Sequence, residues 1–177
     1  MEFLNLENLQ EEKYFSQIQK MLIEADDEFV PPLSSRFSTT QKHLNFENKN
    51  NDGVFSYFNE MKKQRILLAC EEGSIRGFIS YRENHVNDEI KELPNIYIST
   101  VIVKKEHRGK GITAQLYKKL FDEYKNISVF TRTWSTNSAH IKILLKLGFE
   151  VLKTLKDDRG EGIDTVYFKK SLKFENI

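Results

Sequence analysis

The feature that most constrains this chain is Arg108-Gly109-Lys110-Gly111, which breaks off an apolar, β-branched stretch from Asn95 to Val103 and precedes a helical stripe of Ile112, Leu116, Leu120 and Tyr124. A strand that ends in a glycine loop and turns into an amphipathic helix points successive free N–H groups at whatever sits before the helix. Glycines remove the β-carbons that would hold a ligand off the main chain. The helix dipole adds partial positive charge, and Arg108 and Lys110 add formal charge, so a pyrophosphate is the natural occupant. Each contribution is on the order of 1 kcal/mol, and together they favour a phosphorylated ligand over water. Read alone, the glycine pair also fits an ordinary strand-to-helix turn. Two nucleotide-binding spellings are absent. Gly111 stands where a P-loop needs a hydroxyl residue after its lysine, and Ala114 stands where a dinucleotide fingerprint needs its last glycine.

The elements around this loop follow from periodicity. Phe15, Ile18, Leu22 and Ala25 put one apolar face on a helix from about Glu11 to Ala25, which Pro31-Pro32 prevents from continuing. A second helix is expected from Val54 to Lys63, and a shorter one from Thr39 to Phe46 with Thr39 as its cap. Asn45 to Gly53 reads as an exposed, Asn-rich loop. Ile66–Cys70 and Ile75–Tyr81 form a hairpin across Glu71-Glu72-Gly73-Ser74. Asn95–Val103 is apolar on both alternating faces, as a mid-sheet strand is, and Ile127–Trp134 reads as another strand. Ile141, Leu144 and Leu145 mark a helix that ends at Gly148, and strands from Phe149 to Thr154 and from Ile163 to Leu172 flank a turn at Asp157–Gly162. The expected order is β-α-α-β-β-β-α-β-α-β-β, an α/β (α+β) fold with a mixed central sheet flanked by helices. With 177 residues and 39% apolar content, residues 1–177 should form one domain around one core.

Lysine plus arginine number 27 and aspartate plus glutamate 26, so no whole-molecule field draws the chain to nucleic acid or an anionic membrane. A small partner is expected. No apolar run approaches the roughly 18 residues of a membrane helix, and the first residues lack a basic segment followed by an apolar one, which points to a cytoplasmic protein. Cys70 is the sole cysteine and lies in the apolar run Ile66–Cys70, where a buried core thiol is favoured over a nucleophile. No metal site is expected.

Val101-Ile102-Val103 followed by Glu106-His107-Arg108-Gly109-Lys110-Gly111-Ile112 resembles the acetyl-CoA motif of GNAT-superfamily N-acetyltransferases, spelled Arg/Gln-x-x-Gly-x-Gly/Ala. Arg108 and Gly111 match its first two fixed positions, and Thr113 replaces the final small residue. Asn137, an amphipathic helix and Leu147-Gly148-Phe149 resemble the family's second block. The similarity runs from about residue 65 to 172. It implies an acetyl-CoA-dependent transfer of an acyl group to a primary amine by direct attack on the thioester. It also implies that Arg108, Gly109, Lys110, Gly111, Ile112 and Thr113 hold the pyrophosphate. The strand carrying Val101 and Val103 would splay from its neighbour to pair with the pantetheine arm, and Asn137 would bond to the cofactor or simply cap its helix.

The amine must lose a proton, since a typical alkylamine has a pKa near ~10. Tyr97 stands where some relatives carry a glutamate base, and Leu144 where many carry a tyrosine acid. Tyr97, Ser99 and Thr100 are candidates to relay a proton, and His107 and His140 flank the motifs. The resemblance implies that Glu24-Ala25-Asp26-Asp27-Glu28-Phe29-Val30-Pro31-Pro32-Leu33 lines the acceptor side, where the carboxylates Asp26, Asp27 and Glu28 are candidates to hold a cationic acceptor, with Arg159, Glu161 and Asp164 as weaker ones. The acceptor would be a small-molecule or peptide amine, and the protein a monomer or homodimer. The alternative is a non-catalytic acyl-CoA-binding module.

Overall fold

Alternation along the strands decides the architecture. In the strand from Arg65 to Glu71, Ile66, Leu68 and Cys70 point to one face while Leu67 and Ala69 point to the other, and all five are buried. A strand apolar on both faces needs cover on both. The computed structural model describes residues 1–10, 12–44 and 52–173 and supplies that cover with four helices. Its elements are β1 (Glu2–Leu6), α1 (Glu12–Ala25), α2 (Phe55–Met61), β2 (Arg65–Glu71), β3 (Ser74–Glu83), β4 (Asn95–Val103), α3 (Ile112–Glu123), β5 (Ile127–Trp134), α4 (Ser138–Lys146), β6 (Glu150–Leu155) and β7 (Thr165–Leu172). The order is the one expected. None of these helices is long and apolar enough to cross a membrane.

The seven strands form one mixed sheet in the order β1-β2-β3-β4-β5-β7-β6, with β4 in the middle. The β4–β5 pair is parallel and the others are antiparallel. On one face Ile18, Met21 and Leu22 of α1 and Tyr57, Phe58 and Met61 of α2 pack against Ile66, Leu68, Phe78 and Ile102. On the other, Ile112, Leu116 and Leu120 of α3 and Leu144 of α4 pack against Leu67, Ile79, Ile98 and Val129.

One local expectation changes, and another lies largely outside the described residues. Thr39 to Leu44 is irregular rather than the start of a short helix. The buried Thr39 hydroxyl accepts from Gln64 Nε2, and the Gln41 carbonyl accepts from Arg132, so long-range side chains hold this segment in place of a local ladder. The expected Asn-rich loop lies, from Asn45 to Asn51, outside the described residues.

Candidate functional site

The central strands part at a defined point. β4 and β5 pair from Asn95↔Ser128 to Ile98↔Thr131 and no further, although β4 continues to Val103 and β5 to Trp134. The β3–β4 ladder shows why. Ser80 faces Thr100 and Tyr81 faces Ile98, which leaves Ser99 as an extra residue. Such a bulge bends its strand and sharpens the twist. Beyond it, Lys104 N–H donates to Arg76 C=O at 2.9 Å. Backbone groups alternate between the two edges of a strand, so Ile102 and Thr100 also face β3, whereas Val101 and Val103 turn their N–H and C=O groups into the gap. Arg108 Nε already donates to the Val103 carbonyl at 3.0 Å.

A cleft of about 440 Å3 runs from this fork to the glycine loop. Arg108 is extended, Gly109 and Gly111 both have φ +75°, and Gly111 is the N-cap of α3 with no side-chain cap. Left-handed backbone costs an L side chain roughly 1–2 kcal/mol, which explains glycine at both positions. The first bond of the helix runs from Gln115 N–H to Gly111 C=O at 3.0 Å, so the N–H groups of Ile112, Thr113 and Ala114 precede the ladder. Behind the loop, Gly77 lets β3 approach closely: a β-carbon there would lie 2.9 Å from Val103 Cγ2, 3.1 Å from the Ile102 carbonyl and 3.3 Å from Ile112 Cγ2.

The loop cations have an internal partner. Arg108 Nη2 donates to Glu28 Oε2 at 2.7 Å, and Lys105 lies 3.2 Å from Glu28 Oε1. Burial opposes ionisation of Glu28, but the bonds from Arg108 and Lys105 outweigh it and hold the carboxyl below its ordinary range. On the α3–α4 side, Asn137 accepts from His140 N–H at 3.3 Å and donates to Thr133 Oγ1 at 3.0 Å. His140 Nε2 lies 2.9 Å from the Tyr117 hydroxyl, and burial pushes its imidazole from 6.5 down to about 4, leaving it neutral at pH 7. On the opposite side, Phe29 and Trp134 meet at 5.5 Å beside Arg132.

Of the residues singled out in the sequence, Ser99, Val101, Val103, Arg108, Gly109, Gly111, Ile112, Thr113, Asn137 and Glu28 line this one cleft. Lys110 is exposed and does not line it, because the turn between two left-handed glycines directs its side chain to solvent. Tyr97 is 1% exposed and stacks on His85 at 4.6 Å, packed with Phe130 and Tyr167 on the α1–α2 face and off the cleft. Asp26 is a structural group, its Oδ1 accepting from Ser34 N–H at 2.7 Å, and Asp27 is exposed, so neither reaches the cleft. Asp164 accepts from Asp157 N–H at 3.0 Å, and Glu161 is exposed. Phe29, within the segment expected on the acceptor side, also lines the cleft, whereas Arg132 and Trp134 were not foreseen in the sequence. The available signal was the arginine interrupting Val129-Phe130-Thr131-Arg132, since an unpaired charge is costly inside a covered strand.

A family model described as acetyltransferase (GNAT) family matches residues 23–149. Several solved structures share the fold at low identity. A ribosomal-protein-alanine N-acetyltransferase from Brucella melitensis is 19% identical, with 96% of this chain and 99% of that one covered and a TM-score of 0.63. An N-acetyltransferase from Staphylococcus aureus Mu50 is 18% identical over 97% and 99%, with a TM-score of 0.62. An aminoglycoside 6'-N-acetyltransferase complexed with coenzyme A is 12% identical over 97% of each chain, with a TM-score of 0.65. No curated protein matches the sequence.

Proposed function

Because the chain belongs to the acetyltransferase (GNAT) family, we propose that it transfers an acetyl group from acetyl-CoA to a primary amine in the cleft between β4 and β5. The observation that carries this reading is the continuity of the fork with the glycine loop in one cleft. The donor set suits the cofactor. The free N–H groups at the start of α3 and the Arg108 guanidinium are donors for a pyrophosphate, and the gap-facing main chain of Val101 and Val103, which β5 leaves unpaired and of which only the Val103 carbonyl is met, by Arg108 Nε, is a strand edge for the amide-bearing pantetheine arm. Asn137 caps α4 with its side-chain oxygen, so we assign it to shaping the cleft wall as well as facing the cofactor.

When bound, acetyl-CoA supplies a thioester whose C–S bond breaks as the amine lone pair forms the new C–N bond, the sulfur leaving with its electron pair. In this reading a main-chain N–H near Val101, just past the bulge, donates toward charge developing on the carbonyl oxygen. Ser99, on the cleft wall, lies 2.9 Å from Ser80 Oγ and donates to Gln64 Oε1 at 2.7 Å, and Gln64 Nε2 in turn donates to Thr39. This chain of hydroxyl and amide groups positions water that takes the amine proton. His140 of α4 lines the same cleft, its ring held neutral beside the buried Tyr117 of α3, and with Leu144 apolar the leaving thiolate takes its proton from water in this reading.

Gly111→Glu tests the reading. A β-carbon at Gly111 would meet only Gln115 Nε2, at 3.9 Å, so the fold bears little beyond roughly 1–2 kcal/mol of left-handed strain. The new carboxylate would oppose a pyrophosphate, and calorimetric acetyl-CoA binding together with amine-dependent thiol release is expected to vanish. Unchanged affinity in the folded variant refutes the assignment of the loop.

A further inference from the structure

Of the seven arginines, Arg65, Arg76, Arg82 and Arg108 each pair with a carboxylate at 2.7 to 3.7 Å. Among the described residues, Arg36, Arg132 and Arg159 have no such partner, although Arg36 and Arg159 are only 6% and 5% exposed. They donate to neutral groups instead. Arg36 reaches the Pro31 carbonyl through Nε at 3.0 Å and Nη2 at 2.7 Å. Arg159 reaches the Val30 carbonyl at 2.6 Å and Thr165 Oγ1 at 2.9 Å. Arg132 reaches the Tyr167 hydroxyl at 3.3 Å and the Gln41 carbonyl. Burial, followed by repulsion from Arg36 and Arg132, brings Arg159 down to about 9. Burial, with Arg132 adding to it, brings Arg36 down to about 10. Asp158 and Asp26 act on Arg159 and Arg36 respectively, but as the smallest of the named influences.

The cluster has a place in the fork. Along β5, Phe130 packs on the α1–α2 face, and by alternation Arg132 and Trp134 share that face beyond the point where β4 separates. Thr133, on the other face, bonds to Asn137 of α4. Arg159 stands over the Trp134 ring at 5.7 Å and Arg36 over the Phe29 ring at 5.5 Å. Arg132 lines both the cleft and a second cavity of about 580 Å3. Thus the glycine loop forms one end of the cleft, and the wall on the α1–α2 side of the fork carries Phe29, Trp134 and Arg132, while Glu28 beside them is already paired with Arg108 and Lys105.

We propose that the acceptor is a small primary amine bearing an anionic group, a carboxylate or a phosphate, which Arg132 binds with Arg36 and Arg159 behind it. This rests on the acetyltransfer reading and reverses the cation-binding role expected of Asp26, Asp27 and Glu28. Guanidinium groups bind such anions through paired, charge-assisted hydrogen bonds. The same arginines disfavour a second positive charge nearby, so they promote the unprotonated amine that the reaction needs. That supplies by electrostatics what the chain lacks in a carboxylate base at position 97.

The test compares matched amines: glycine with glycinamide, β-alanine with β-alaninamide, phosphoethanolamine with ethanolamine, and spermidine as a polycation. Thiol release is measured at saturating acetyl-CoA and expressed per concentration of free amine, with calorimetric titration of each amine into the acetyl-CoA-saturated protein. At least one anionic member should exceed its neutral partner by about tenfold or more in kcat/KM, as a charge-assisted bond of about 1.5–3 kcal/mol provides. Arg132→Gln should erase that preference, and Arg132→Lys should restore part of it. Better turnover of the neutral members or spermidine overturns the proposal while leaving acetyltransfer intact. So does an unchanged preference in a folded Arg132→Gln variant. Should that variant not fold, the preference of the unaltered protein decides. If nothing is turned over, failure of every anionic member to bind overturns the proposal equally. Failure of acetyl-CoA itself to bind removes the parent reading and this one with it.

Discussion

Gly77 offers a quantitative probe of how the sheet supports the loop. Gly77 lies opposite Val103 in the β3–β4 ladder, and an alanine there meets Val103 Cγ2 at 2.9 Å and the Ile102 carbonyl at 3.1 Å. The carbonyl belongs to the ladder and yields little, so Val103 and Ile112 have to move by a few tenths of an ångström. Overpacking of this kind costs about 1–3 kcal/mol. For a chain of this size each kcal/mol lowers the melting temperature by about 2–4 °C, so Gly77→Ala should melt roughly 2–12 °C lower. Val103 and Ile112 both line the cleft, so calorimetric acetyl-CoA affinity should fall as well. Val103→Ala removes the 2.9 Å contact, and the double variant should recover part of the loss, with a coupling of about 0.5–3 kcal/mol in a double-mutant cycle. A Gly77→Ala protein that melts within a degree of the original, or two single costs that simply add, would show that β3 does not set the position of the loop.

Other consequences are open to measurement. Asp26→Ala removes the acceptor for Ser34 N–H and should cost about 1 kcal/mol of stability while leaving the KM for the amine unchanged; a raised KM would return Asp26 to the acceptor site. His140 is held neutral with its pKa lowered from 6.5 to about 4, so the unfolded chain binds the extra proton first and stability falls as pH drops through that window. The effect is on the order of 3 kcal/mol, and His140→Gln should make the stability profile shallower between those values, with His85, lowered by burial over the same window, supplying a remaining slope; an equally steep profile would contradict it. Burial raises the Cys70 thiol, so it should resist thiol reagents until the protein unfolds and should give no background in a thiol-release assay. Rapid labelling of the native protein would show otherwise.

Local chemistry sufficed for much of this protein. Strands apolar on both faces, helical stripes with a period near four, and glycines where the backbone turns left-handed are properties of neighbouring residues, so the element order and the Arg108–Gly111 loop could be read from the sequence. The places of Ser99 and Asn137 on the cleft lining were legible for the same reason, one lying within a recognisable strand and the other at a helix start. The cleft itself was not. It depends on a one-residue bulge against β3, on where a parallel pairing stops, and on Phe29 and Arg36, Arg132, and Arg159 arriving from three separate segments. In the sequence, Asp26, Asp27 and Glu28 form a conspicuous acidic run, yet folding turns one to a backbone cap, one to solvent and one to Arg108. The arginines are scattered along the chain and show no pattern until the tertiary structure brings their charges together. Propensity and periodicity act over a few residues, whereas the sign of the electrostatic field in a pocket is a sum over groups that only the completed fold makes neighbours.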